Sequence, residues 1–128
     1  MLEVTRRTFL VGTVVAAMGP ASAEEPRAVP VLLVSKDPNC GCCSGWVEHV
    51  RAAGFQPTHV EMSDLTPLKS RLRIPKRLAT CHTAEIGGYV IEGHVPAKEI
   101  VRLLREKRKG VKGLAVGGMP PGSPGMEH

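Results

Sequence analysis

Hydrophobic positions along the chain change spacing several times, and each change marks an element. Val31-Leu32-Leu33-Val34 is an unbroken apolar run rich in β-branched residues, as a buried strand requires. Lys36-Asp37-Pro38-Asn39 ends it with turn residues. From Cys42 the spacing becomes helical. Trp46, Val47 and Val50 share one face, and a helix over 42–53 closes at Gly54. Residues 55–62 read as a second, weaker strand, with Pro57 marking a sheet edge. Thr66-Pro67 reads as an N-cap and first helical position. Leu65, Leu68 and Leu72 give that helix its apolar side until Pro75 stops it. Ile86 to Ile91 alternates around Gly87-Gly88, which predicts a β-hairpin. Ile100, Val101, Leu103 and Leu104 define an inward face for a last helix over 97–109. Residues 110–128 show no periodicity, are dense in Gly and Pro, and read as a C-terminal segment lying on the domain. The order strand–helix–strand–helix–hairpin–helix predicts an α/β fold around a central sheet, with no internal repeat.

Composition refines this picture at the N-terminus. The chain has 128 residues, enough for one domain. Arg6-Arg7 precede Phe9-Leu10, a short apolar run to Met18, and Ala21-Ser22-Ala23. A basic stretch, a short apolar region and a small-residue cleavage site make an export signal, and the twin arginine resembles the twin-arginine kind. The expected boundaries are a signal over 1–23, a linker over 24–30, a domain over 31–109 and the Gly/Pro/Met-rich segment over 110–128. No apolar run reaches the 20 or so residues that span a bilayer, so the processed protein is not expected to span a membrane. The expected compartment is the periplasm. With two Phe, one Trp and one Tyr, the core must be aliphatic, and base stacking on aromatic platforms is disfavoured. The Lys- and Arg-rich stretch 102–112 reads as a solvated helix end whose cations complement the helix dipole, and no nucleic-acid binding is expected.

An exported chain can form disulfides, and two structural bridges are the plain reading of four cysteines. Their spacing argues otherwise. Cys40, Cys42 and Cys43 lie within four residues, whereas stabilising bridges close long loops. The cluster also sits where a strand turns into a helix, the context in which C-x-x-C reads as thioredoxin-like. A helix N-terminus favours thiolate, the form that attacks disulfides and binds metal. A disulfide oxidoreductase would need only Cys40 and Cys43. Cys42 is superfluous to it and sits beside Cys43, where it can bridge two metal ions. A tetrahedral zinc site usually shows two spaced ligand pairs, and Cys81-His82 is adjacent instead. Soft sulfur donors select Cu(I). The reading is a polythiolate Cu(I) site built from Cys40, Cys42, Cys43 and Cys81 that holds one or more coppers.

Met119, His82 and His94 are the further ligand candidates, and Met126 is a weaker one. His82 reaches the same site as Cys81 only if the chain turns there, because neighbours on a strand face opposite ways. His94 stands at the mouth of the last helix. Trp46, one turn into the first helix, is expected to pack behind the cysteines. His49 and His59 read as surface positions. No nucleotide-binding loop, Ser-His-Asp arrangement or paired-carboxylate motif is present.

Several motifs together carry a family resemblance. Cys40-Gly41-Cys42-Cys43, Trp46 and Arg51-Ala52-Ala53-Gly54-Phe55 come first. Cys81-His82-Thr83-Ala84 and the run from Gly87-Gly88-Tyr89 through Gly93-His94-Val95-Pro96-Ala97 follow. Gly113-Leu114-Ala115-Val116, Gly118-Met119-Pro120 and Gly122-Ser123-Pro124-Gly125-Met126-Glu127 complete the set. The chain resembles the family known as domain of unknown function 411, which includes exported CopG-like copper-resistance proteins. The resemblance implies a thioredoxin-like fold, copper binding in the periplasm with the four cysteines as ligands, and a periplasmic copper-handling protein as partner. The family usually carries Pro before the Gly-Met-Pro of its tail. Gly117 stands there in this chain and loosens the backbone that would place Met119. The leading expectation is an exported Cu(I)-binding protein of copper resistance. The alternative is a periplasmic thiol–disulfide oxidoreductase using Cys40 and Cys43.

Overall fold

The computed structural model describes residues 30–127 together with Ala16, Gly19 and Ala21. The signal expected over 1–23 and the linker over 24–30 lie outside the described residues but for Ala16, Gly19, Ala21 and Pro30. The elements are β1 (Leu32–Lys36), α1 (Gly41–Ala52), β2 (Pro57–Glu61), α2 (Thr66–Arg71), a 3₁₀ turn (Lys76–Leu78), β3 (His82–Ile86), β4 (Tyr89–Gly93), α3 (Ala97–Glu106) and β5 (Gly113–Val116). They form one five-stranded sheet in the order β2-β1-β3-β4-β5. β1 runs parallel to β2 and antiparallel to β3. β4 runs antiparallel to β3 and parallel to β5. No described helix is long and apolar enough to cross a membrane.

Local chemistry explains the boundaries. Cys40 caps α1 by accepting the Cys43 N–H on its own Sγ, at 3.4 Å. At the other end Gly54 adopts φ 97°, its N–H bonds the Arg51 carbonyl, and the Phe55 N–H bonds the Val50 carbonyl. This is a Schellman close, and it brings Phe55 into the core beside the last turn. Gly87 and Gly88 both have positive φ, as a two-residue hairpin turn between β3 and β4 requires.

The sheet register sorts side chains onto two faces. Leu32, Val34, His82, Ala84, Ile86 and Ile91 share one face, which packs against Trp46, Val47 and Val50 of α1 and Ile100 and Leu103 of α3. Thr83 and Glu92 point to the other face and bond Lys69 of α2. The helices therefore form layers on both sides of the sheet.

Four expectations change. The segment read as an aperiodic tail from residue 110 contains strand β5, whose Leu114 and Val116 pack on the core. Two of its four residues are Gly and Ala, so the run was too short and too small-sided to register as a strand. The last helix ends at Glu106, where Lys107 turns left-handed at φ 45°. Thr66 lies inside α2, and Asp64 accepts its N–H at 2.9 Å. His49 is not a surface position: its Nε2 accepts the Ala97 N–H at 3.0 Å and caps α3, whose preceding Pro96 has no side-chain cap to offer. That bond ties α1 to α3 and is worth about 1 kcal/mol by analogy with other caps.

Candidate metal centre

The C-terminal end of β1 delivers the chain to the Cys40 turn, and the start of β3 brings Cys81 to meet it. Cys40 and Cys43 are joined as a disulfide with Cα atoms 5.4 Å apart, while Cys42 and Cys81 are free thiols. Cys42 Sγ lies 3.3 Å from Cys40 Sγ and 3.8 Å from Cys81 Sγ. Cys43 is fully buried, with its sulfur 3.6 Å from the Cys81 carbonyl oxygen. All four sulfurs fall within 4.8 Å of one another.

A second donor group shares Cys81. Its sulfur is 3.5 Å from His82 Nδ1 and 3.4 Å from His94 Nε2, and both rings are fully buried. Cys81 turns off the end of β3 while His82 begins the strand, which is the bend that lets adjacent side chains reach one site. The His94 orientation is fixed from outside: its Nδ1 donates to the Pro124 carbonyl at 2.6 Å. That bond leaves Nε2 as the ring atom turned toward Cys81. His82 packs on Trp46 at 4.5 Å between ring centroids, and its Nε2 makes no hydrogen bond among the described residues. Trp46 packs behind the site and donates its indole N–H to the Val95 carbonyl at 2.8 Å.

Burial sets the protonation states. It pushes the Cys81 thiol up to about 12, and the neighbouring Cys42 adds to the effect while Lys69 opposes it. Burial likewise pushes His82 down to about 3, helped by His94. The sign for stability follows. Between about pH 6.5 and 3 the unfolded chain takes up a proton that folded His82 refuses. Folding should therefore weaken as pH falls from 6.5, by about 1.4 kcal/mol per unit. Urea unfolding of the metal-free protein from pH 7 to 4, compared with His82→Leu, measures this. An identical pH slope in the variant would show that His82 is not the group responsible.

Two supports of the site left little trace in the sequence. Glu92, 1 % exposed, accepts from Lys69 Nζ, from the Thr80 N–H at 2.8 Å and from Thr83 Oγ1 at 2.6 Å. Thr80 Oγ1 lies 2.9 Å from the same carboxylate. This network grips the residue before Cys81 and the one after His82. The second support is the chain at Pro124-Gly125. Gly125 has φ +88°, and a Cβ on it would sit 2.7 Å from the Cys42 carbonyl oxygen and 2.8 Å from the Trp46 nitrogen. Gly45 faces it across the contact. A glycine inside a helix costs about 1 kcal/mol, so Gly45 was the readable signal of a close approach. Gly125→Ala should lift this segment from α1 and free His94, raising the alkylation rate of Cys42 and Cys81 about tenfold through backbone strain of about 1–3 kcal/mol. Mass-spectrometric alkylation kinetics check this, and an unchanged rate would mean the segment does not cover the thiols.

Met119 is half-buried in a left-handed turn at φ 48° in the same C-terminal segment, whose Pro124 and Gly125 lie against His94 and α1. His59 lies exposed on β2.

Sulfur and imidazole donors at this density suit a soft or borderline metal ion. Comparison with known proteins points the same way. The family model "Protein of unknown function, DUF411" matches residues 78–126. Two solved structures, "Copper resistance protein copG- Form 2" and "Form 1", are each 44% identical and cover 79% of this chain. The alignments span 80% and 79% of those chains, with TM-scores of 0.74 and 0.73. No curated protein matches the chain.

Proposed function

The chain belongs to the DUF411 family of CopG-like copper resistance proteins, and from that premise we propose that it is an exported protein that binds Cu(I) through its cysteine cluster. One observation carries the reading: four sulfurs from two distant parts of the chain converge within 4.8 Å. Thiolate is the donor Cu(I) prefers. Cys81 belongs to both donor groups, and a shared thiolate is what lets a cluster grow beyond one ion. His94 and His82 are proposed as added donors or as acceptors of the Cys81 S–H, and Met119 as a ligand supplied by the tail. Metal binding must displace the Cys81 proton and requires the Cys40–Cys43 bridge to be reduced. The strand–turn–helix opening with C-x-x-C supports the thioredoxin-like reading of the fold, and the twin-arginine leader supports export to the periplasm.

The decisive experiment titrates the anaerobically reduced protein with Cu(I) and, separately, with Zn(II) against competing chelators. Copper should bind at one or more equivalents per chain and displace zinc. Stoichiometric zinc with no preference for copper would sink the proposal. The disulfide itself favours a second reading. A Cys40–Cys43 bridge at a helix N-terminus is the arrangement of a thiol–disulfide oxidoreductase. Disulfide-reducing activity that persists in Cys42→Ser, with copper binding also unimpaired, would favour that reading.

A further inference from the structure

The sheet face opposite α1 and α3 carries a cleft of about 370 Å³ that the metal centre does not use. One wall is residues 72–75 and Leu78, leading out of α2. The other is residues 110–115, which include the first three residues of β5, and Val90 and Glu92 line the cleft between them. Leu72, Ile74 and Leu78 are only half-buried, so an apolar strip stays open to an occupant. β5 closes the sheet order, and no described strand pairs with its outer edge.

Both walls belong to cationic stretches. Lys69, Arg71, Arg73, Lys76 and Arg77 fall in 69–77 with no acidic residue among them. Lys107, Arg108, Lys109 and Lys112 follow in 107–112, again without one. Lys69 is matched by Glu92 and Arg108 by Glu106. The other seven have no ion pair among the described residues. A helix dipole accounts for cations in the last turn of α3, but α3 stops at Glu106. Lys112 lies beyond it on the cleft wall, across from Arg73.

We infer that this cleft docks an extended acidic segment of a partner protein, laid beside β5 with apolar side chains against Leu72, Ile74 and Leu78 and carboxylates on Arg73 and Lys112. Two features converge on that occupant. The apolar strip takes alternate side chains, because successive residues of a strand face opposite ways. The surplus of cations selects negative charge and speeds encounter. The same cleft reaches Glu92, the carboxylate that holds the turn before Cys81, so an occupant lies against the support of the thiol cluster.

The test uses the full ¹⁵N-labelled chain and a synthetic octapeptide alternating Glu and Val, with a Lys/Val octapeptide as the opposite-charge control. The Glu/Val peptide should shift amides of 72–78 and 110–115, and raising salt from ~50 to ~500 mM should weaken it several-fold. The double variant R73D/K112E should lose at least tenfold in affinity. R51E/K98E carries the same charge change on α1 and α3 and should keep it. Equal binding of the Lys/Val peptide, equal loss in the control variant, or shifts mapping elsewhere would overturn the inference. So would anionic phosphatidylglycerol vesicles that protect the cleft when the peptide does not, since the surface would then read lipid. The wild-type shift map decides the matter even if a variant folds poorly.

Discussion

Cys81→Ser should cost the reduced protein at least ~100-fold in Cu(I) affinity while leaving the Cys40–Cys43 bridge able to form. The size follows from position. Cys81 is the one cysteine that belongs to both donor groups, with its sulfur near Cys42 on one side and His82 and His94 on the other. Altering groups that merely orient a ligand already costs ~10–100-fold in metal affinity, which sets a floor for losing a shared ligand itself. A hydroxyl is nearly isosteric, harder and not ionised, so it fills the space without donating as a thiolate does. The fold should barely notice, because Cys81 is half-buried and its turn is held by Glu92. The measurement is a competition titration with a Cu(I) chelator, paired with urea unfolding to show that stability is kept. If copper affinity stays within threefold of the parent, the four-sulfur reading fails. If affinity falls but thiol–disulfide exchange at Cys40–Cys43 also disappears, Cys81 serves both chemistries.

The largest effect on stability should come from Glu92. Removing a carboxylate from water costs several kcal/mol, and here four donors offset that cost: Lys69 Nζ, the Thr80 N–H, Thr80 Oγ1 and Thr83 Oγ1. Thr80 Oγ1 has a single hydrogen and also lies 3.1 Å from the His82 carbonyl, so it serves one acceptor at a time. Glu92→Ala removes the acceptor and strands Lys69, whose side chain is only 12 % exposed. The expected loss is about 3–5 kcal/mol. Glu92→Gln keeps the shape but aims an NH₂ group at donors and removes the counter-charge, for a loss of about 2–3 kcal/mol. The second consequence is local. The turn through Thr80 and Cys81 loses its anchor, so Cys81 should be alkylated faster and hold copper ~10–100-fold less tightly. Urea titration and Cys81 alkylation rates read the two effects separately. A Glu92→Gln protein within 1 kcal/mol of the parent, with unchanged Cys81 reactivity, would show that the carboxylate does not clamp the turn.

The reach of sequence reasoning depended on how local each interaction was. The β1–turn–α1 opening was legible because its determinants are contiguous: an aliphatic run, turn residues, a helical stripe of Trp46, Val47 and Val50, and Gly54 to end it. The hairpin was legible for the same reason, since Gly87-Gly88 fixes its own backbone. Strand β5 was not, because a short strand on a sheet edge is stabilised by its pairing with Val90–Gly93 and little by its own side chains. His49 looked like a surface residue since nothing in its neighbourhood reveals a helix start 48 positions away.

The sequence by itself determined the chemistry available to this protein. It placed three cysteines at a helix N-terminus, added Cys81-His82 and His94, and left those residues no evident role in a plain core. The tertiary structure decided how they are combined. It set Cys81 between two donor groups and drew the Pro124 carbonyl onto His94. It buried Glu92 beneath the Cys81 turn and brought two cationic stretches, about thirty residues apart in the chain, to the walls of one cleft. Side-chain chemistry is carried by each residue alone, whereas distance, tautomer and burial arise between residues that only the closed sheet brings together.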